Sequence, residues 1–312
     1  MKKVILLLGP TCVGKTAVSL VLAKALNSEI ISADSMQIYK HMDIGTAKPS
    51  AEEQRLIKHH MIDIVEPWDF YSTGEYIKDV QSVVSALHSR KKIPLVVGGT
   101  GLYIKSMTRG IFKGPSADWE MRNAFLDEER AKEGSLYRRL MSLDPAAASK
   151  IMPADTRRTI RALEVFMKSD TSLSEMHRTA TNPLPYEFIK IGITRERKEL
   201  YSMIDARIDA MMEQGLLEEV KDVMRIIKEH GTKANLASYP SMQAIGYKEL
   251  TMYFDGDICL DEAINLIKQS SRNYAKRQFT WFKKEEGIQW IDVTGTHDAN
   301  EIFQKVKVSS LI

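Results

Sequence analysis

An apolar strand that runs directly into a glycine-rich loop and then into an amphipathic helix constrains this chain more than any other feature. Residues 4–8 (VILLL) lead into GPTCVGKT, where Gly9, Pro10, Thr11, Cys12, Val13, Gly14, Lys15 and Thr16 fill every place of G-x-x-x-x-G-K-[ST]. The glycines let the backbone wrap closely round a diphosphate, so that several N–H groups point inward. The following helix adds the positive end of its dipole. Lys15 is placed to reach the terminal phosphates and Thr16 to offer its hydroxyl to Mg²⁺. Val18, Val21, Leu22, Ala25 and Leu26 form one apolar stripe at helical spacing behind the loop. The expected ligand is a polyphosphate or a diphosphate. Whether it is a nucleoside triphosphate, and ATP in particular, the loop leaves open.

The pattern beyond the loop is that of a parallel sheet. Residues 29–33 (EIISA) read as a second strand stopping at Asp34, and residues 61–65 as a third. Ser72 and Glu75 form an S-x-x-E capping box ahead of a helix carrying Ile77, Val80, Val84 and Leu87. Residues 94–97 read as a further strand, ending at Gly98-Gly99-Thr100-Gly101. Ligands of such sheets sit at the carboxyl ends of the strands, where the loop, Asp34 and Thr100 all fall. From about residue 112 helical patterns replace the alternation, over residues 119–131, 135–142 and 155–167, with Asp155 as an N-cap. A strand returns at 188–193, and a long helix over 261–284 precedes a last strand at 288–293. The expected fold is therefore α/β: a phosphate-loop parallel sheet flanked by helices (1–111 and 187–312), interrupted by an all-helical insertion (112–186).

Composition narrows the function classes. With 312 residues the chain has ample core, and a net charge of +3 excludes a polycation, so any nucleic-acid contact must be local. Cys12 and Cys259 cannot build a disulfide framework or a cysteine-rich zinc site. No apolar run reaches membrane-spanning length, which points to a cytoplasmic protein without membrane contact.

An acid at the end of a buried strand beside such a loop is ordinarily a metal partner, and Asp34 fits that role. The segment DSMQIYKHMDIGTAKP is denser in hydrogen-bonding groups than a metal partner needs. Asp34 and Gln37 together have the donors and acceptors that can read the edge of a base. Arg157, Arg158 and Arg161 crowd one short helix, while Lys268, Arg272 and Lys276 recur every fourth residue on another. Such runs are either solvated faces or phosphate-tracking stripes.

GPTCVGKT, DSMQIYKHMDIGTAKP, VVGGTGLY, DTRRTIRALEV, AIGYKE and YAKRQFTWF, in that order along nearly the whole chain, resemble the tRNA dimethylallyltransferases of the bacterial type. The resemblance implies transfer of a dimethylallyl group from its diphosphate to N6 of the adenosine 3′-adjacent to the anticodon, position 37, of tRNA. The loop would then hold an isoprenoid diphosphate, with Mg²⁺ on Thr16. It implies that Asp34 accepts the amine proton and that Thr100 helps to place the amine. On local sequence alone Thr100 is a helix N-cap and Arg207 a surface arginine; the resemblance gives Arg207 a diphosphate-binding role. It implies tRNA contacts at Asp34, Ser35, Met36, Gln37, Thr100, Arg122, Arg157, Arg158, Arg161, Gly246, Tyr247, Lys248, Lys268, Arg272 and Lys276, by a monomer gripping the anticodon stem-loop. Where the family has Asn-Asp before the arginine-rich helix, this chain has Ala154-Asp155. Three rival readings share parts of the pattern: a small-molecule or nucleotide kinase with an arginine-rich lid, an adenylate isopentenyltransferase, and a non-enzymatic NTP-dependent nucleic-acid-binding protein.

Overall fold

The computed structural model describes residues 1–112, 114–179, 181–233 and 235–306. Contacts divide the chain into two compact units, Met1–Lys105 with Pro185–Ile312, and Ser106–Leu184. The sequence pattern had suggested 111 and 187 as the points of division.

The larger unit holds a six-stranded sheet in the order β3-β2-β4-β1-β7-β8. Its strands are β1 (Lys3–Leu8), β2 (Ile30–Ala33), β3 (His59–His60), β4 (Leu95–Gly98), β7 (Glu187–Thr194) and β8 (Ile288–Asp292), and every pairing is parallel. Apart from Lys3, β1 is buried throughout, as befits a central strand between β4 and β7. Its helices are α1 (Lys15–Ala25), α2 (Ala51–Leu56), α3 (Thr73–Ser89), α4 (Gly101–Arg109), which ends beyond the division, α10 (Arg197–Glu213), α11 (Leu216–His230), α12 (Tyr247–Phe254), α13 (Leu260–Phe282) and α14 (Ala299–Val306). One core joins β1, β4 and β7 to α1, α10 and α14 through Leu7, Val18, Leu22, Ile191, Ile204 and Ile302. A second joins Ile38, Tyr39 and Met42 to α10, α11, α12 and α13. This core fixes the segment after Asp34 against helices distant in sequence.

The capping box forms: Ser72 Oγ accepts from Glu75 N at 3.2 Å, and Glu75 Oε2 accepts from Ser72 N at 2.6 Å. The third strand falls elsewhere than expected. It is His59–His60 rather than residues 61–65, because Met61 (φ 64°) and Asp63 (φ 54°) turn left-handed, and Val65 makes only an isolated bridge to Tyr39.

The smaller unit packs α5 (Trp119–Ala131), α6 (Ser135–Leu143), α7 (Pro145–Ala148), α8 (Thr156–Ser169) and α9 (Leu173–Thr179) around Phe125, Leu136, Leu140, Ile160 and Leu163. It is not wholly helical. β5 (Ile111–Phe112) and β6 (Thr181–Asn182) pair antiparallel, a ribbon too short to leave a periodic signal. None of the described helices is long and apolar enough to cross a membrane.

Candidate active site

The phosphate loop folds as its glycines allow. Gly14 takes φ 105° at the N-cap of α1, a conformation that costs a β-carbon-bearing residue dearly. Lys15 Nζ turns back onto the loop, donating to Gly9 O at 2.9 Å and Pro10 O at 2.6 Å. Burial lowers its pKa to about 8, against the opposing pull of Asp34 and Cys12. The loop opens onto a cavity of about 780 Å³. Asp34, Lys15, Thr16 and Arg207 line it, with Met203, Ala206, Ala210 and Met211 of α10 as an apolar wall. Arg207 is thus no ordinary surface arginine, since its Nη1 lies 3.3 Å from Cys12 Sγ.

Asp34 leaves β2 at the cavity floor. Its Oδ1 accepts from Met36 N at 2.8 Å and Gln37 N at 3.4 Å. Burial raises its pKa, while those two N–H groups and the charges of Lys15 and Arg207 work the other way. A carboxylate so held suits a group that must take up a proton. Thr100 adjoins it: Thr100 Oγ1 accepts from Ser35 N at 3.1 Å, so the hydroxyl braces the Asp34 segment, and the Thr100 carbonyl starts α4. Behind them Tyr76 stacks on Tyr103, ring centroids 3.6 Å apart, and donates to Ser32 O at 3.1 Å.

Two residues of α13 complete the site, although neither stood out in the sequence. Gln278 Oε1 accepts from Thr11 N at 2.8 Å, and its Nε2 donates to Gly99 O at 3.0 Å, tying the phosphate loop to the end of β4. Tyr274 lines the cavity; burial raises its pKa, with Thr100 and Gln278 among the groups pulling the other way, so it remains a phenol. The helical spacing of Tyr274 and Gln278, four residues apart in a motif of the long helix, was the available signal.

Other expected contacts are already committed to the protein. Gln37 Nε2 donates to Thr46 O at 3.3 Å and Ala47 O at 3.1 Å, and its Oε1 accepts from Ser32 Oγ at 2.9 Å. Both amide hydrogens are spent, so Gln37 braces a loop instead of offering donors to a base. Met36 packs partly into the second core. Gly246 and Tyr247 are buried, and Tyr247 donates to Glu219 at 2.5 Å, so only the neighbouring Lys248 is exposed to an external ligand. The stripe on α13 is largely neutralised: Lys268 pairs with Asp209 at 2.6 Å and Arg272 with Asp205 at 2.5 Å, leaving Lys276 exposed. In the smaller unit, Arg122 and Arg161 both pair with fully buried Glu164, at 2.7 and 2.5 Å, whereas Arg157 is exposed and exposed Arg158 pairs with Asp155 at 3.4 Å.

Among the described residues, no group of three or more His, Cys, Asp or Glu side chains is placed to hold a metal ion. The Thr16 hydroxyl at the loop suits an ion that keeps most of its waters and takes further oxygens from a phosphate group.

Residues 37–285 match the family described as IPP transferase. The chain belongs to the IPP transferase family. It is 53% identical over 305 residues to the tRNA dimethylallyltransferase of Thermodesulfovibrio yellowstonii, covering 98% of this chain and 96% of that one. It is 44% identical over 309 residues to that of Bacillus subtilis, covering 97% and 96%. Among solved structures, the full-length tRNA isopentenylpyrophosphate transferase of Bacillus halodurans superposes with a TM-score of 0.70 at 38% identity, over 98% of this chain and 96% of that one. A eukaryotic dimethylallyltransferase acting on tRNA superposes with a TM-score of 0.80 at 30% identity, over 95% and 75%. In this IPP transferase, the six motifs of the sequence therefore mark the family, and the cavity gathers residues from four of them: the phosphate loop, Asp34, Gly98-Gly99, and Tyr274 with Gln278.

Proposed function

We propose that this chain transfers the dimethylallyl group of dimethylallyl diphosphate to N6 of adenosine 37 of tRNA, releasing diphosphate. The observation that carries this reading is one cavity in which the phosphate loop, Lys15 and Arg207 are gathered with the pinned carboxylate of Asp34 beside an apolar wall. An exocyclic amine is a weak nucleophile, so the allylic C–O bond must loosen as the N–C bond forms. Negative charge then builds on the departing diphosphate. The N–H groups of residues 11–16 with Lys15 and Arg207 meet that charge, and losing one such donor typically costs about 3–4 kcal/mol. Lys15 must swing from the Gly9 and Pro10 carbonyls to the phosphate oxygens. Met203, Ala206, Ala210 and Met211 give the prenyl chain a dry wall.

Asp34 takes the proton that N6 loses. Thr100 and Tyr274 border the place of that amine, and Tyr274 donates as a phenol. Thr16 would hold Mg²⁺, which when bound supplies further neutralisation of the diphosphate. The target base must leave its stack, at a cost of a few kcal/mol in an irregular loop. Of the expected contact residues, the exposed Arg157, Arg158, Lys248 and Lys276 are cations available to the tRNA backbone, and the smaller unit is read as a tRNA-contacting insertion. On the same reading the enzyme works as a cytoplasmic monomer.

Single-turnover transfer of labelled dimethylallyl from its diphosphate to unmodified tRNA tests the proposal, with AMP as a second acceptor and ATP as a second donor. Asp34→Asn keeps the shape of the side chain and loses the base, so the rate should fall by about 10²–10⁴ with tRNA affinity within a few fold. Transfer to AMP alone, or phosphoryl transfer from ATP, would replace the reading with one of its rivals.

A further inference from the structure

Glu219, in the first turn of α11, makes four hydrogen bonds that lead away from its own helix. Its Oε2 accepts from Asp43 N at 2.8 Å and Ile44 N at 2.7 Å; its Oε1 accepts from Gly45 N at 2.9 Å and from the Tyr247 hydroxyl at 2.5 Å. Three successive amides thus converge on one carboxylate, the arrangement by which backbone normally captures an anion. Here the anion is the protein's own and the captured element is the loop. The approach is close, since a Cβ on Gly45 would lie 2.5 Å from Tyr247 Cε2 and 2.9 Å from Leu216 Cδ1. Lys48 closes the other side of the loop, donating to Tyr39 O at 2.8 Å and to Asp43 Oδ1 at 2.6 Å.

The next two residues pass this constraint inward. The Thr46 and Ala47 carbonyls take both side-chain amide hydrogens of Gln37, and Gln37 Oε1 accepts from the Ser32 hydroxyl near the end of β2. The backbone N–H of Gln37, with that of Met36, holds Oδ1 of Asp34. The carboxylate on α11 is therefore joined through loop 43–47 and Gln37 to the carboxylate that meets the acceptor amine.

The geometry points to Glu219 as a positioning residue of the transfer reaction, fixing the orientation of Asp34 through loop 43–47 and Gln37. This rests on Asp34 being the proton acceptor. The longest link is the bond from Gln37 N to Asp34, at 3.4 Å, so a small displacement of Gln37 breaks it first. Asp34 then keeps one N–H in place of two, and its ionised form loses support. The other groups facing it are unchanged: Lys15 on α1, Arg207 on α10, and the phenols Tyr76 on α3, Tyr103 on α4 and Tyr274 on α13.

The test is single-turnover transfer to saturating tRNA across a range of pH, for wild type, Glu219→Gln, Gln37→Ala, the double variant and Asp34→Asn. Glu219→Gln should slow the step roughly ten- to a hundredfold, the scale of a catalytic group displaced by about 1 Å. It should move the acid limb of the profile to higher pH and leave the KM for dimethylallyl diphosphate unchanged. The double variant should be no slower than the slower single one, because both act along one path. Tyr247→Phe removes one of the four bonds and should give a smaller effect in the same direction, which keeps the test sound if Glu219→Gln unfolds. A wild-type rate and acid limb in Glu219→Gln, with Asp34→Asn inactive, would overturn the inference, as would strictly additive effects. A near-normal rate in Asp34→Asn would remove the assignment of Asp34 and this inference with it.

Discussion

Replacing Lys276 by alanine should flatten the salt dependence of tRNA binding, whereas replacing Lys268 and Arg272 together should hardly change it. The three cations share one face of α13 and look equivalent in sequence. In the fold, Lys268 Nζ lies 2.6 Å from Asp209 and Arg272 Nη1 lies 2.5 Å from Asp205, so two of the three already face a carboxylate. A phosphate reaching either must displace that carboxylate and sit beside it, and neutralising a paired cation releases no counterion from the RNA at net gain. Each genuine phosphate contact contributes about 0.9 to the slope of log K against log salt on a duplex and about 0.7 on a single strand. Lys276→Ala should therefore lower the slope by about 0.7–0.9, and Lys268→Ala/Arg272→Ala by close to zero. Half-exposed ion pairs of this kind contribute only about 0–1 kcal/mol, so the double variant should stay folded. The converse is equally specific: Asp205→Asn with Asp209→Asn frees both cations and should steepen the slope. Fluorescence anisotropy of a labelled anticodon stem-loop, titrated from about 50 to about 200 mM salt, compares these three variants with wild type. A slope reduced by about 1.4–1.8 in the Lys268/Arg272 variant would show that tRNA takes both cations from their partners and would refute the argument.

Lys15, buried and lowered to about 8, carries its charge below that pH and loses it above. The kcat/KM for dimethylallyl diphosphate should fall as pH rises through about 8, and Lys15→Arg, charged throughout, should lack that limb even if slower. The same limb in the arginine variant would show that another group titrates there. In the smaller unit, burial pushes the pKa of Glu164 up, but hydrogen bonds from Arg122, the Asp118 backbone and Arg161 outweigh it and hold it below the usual carboxylate value. Its contribution to stability is present above that usual value and is lost as pH falls through the lowered one. Glu164→Gln should cost about 3 kcal/mol at neutral pH, near the low end for a broken buried pair because both arginines still reach water. Calorimetry showing an unchanged Tm for the variant at neutral pH would count against this.

The elements carried by local pattern stood out in the sequence, and those carried by long-range pairing did not. The phosphate loop, the Ser72–Glu75 box and the long helix α13 each depend on neighbours in the chain, so spacing alone reveals them. The third strand was misplaced because the left-handed turns at Met61 and Asp63 leave no mark in hydrophobic alternation. Arg207 looked like a solvated helix residue, since only the tertiary fold brings α10 over Cys12. Gln37 has the right chemistry for reading a base, but its hydrogens go to two carbonyls whose positions depend on Glu219, far along the chain. Charge spacing on α13 likewise says nothing of the aspartates that α10 sets opposite. A local pattern records what a segment offers, while the partner that accepts the offer is set by the packing of distant helices.

The clasp that Gln278 makes between Thr11 and Gly99 also has a consequence for the order of events during synthesis. The loop and its partner are separated by 267 positions. At about 5–20 residues per second, the ribosome delivers Gln278 roughly ten to fifty seconds after Thr11. Throughout that interval the nascent chain already has its phosphate loop but not the side chain that fastens it, and for roughly the first two-thirds of it β1 also lacks its neighbour β7. The growing polypeptide therefore cannot assemble a finished pocket early and capture isoprenoid diphosphate while still tethered. Activity should begin only when α13 has left the exit tunnel, which makes the emergence of that helix the moment at which the enzyme is switched on.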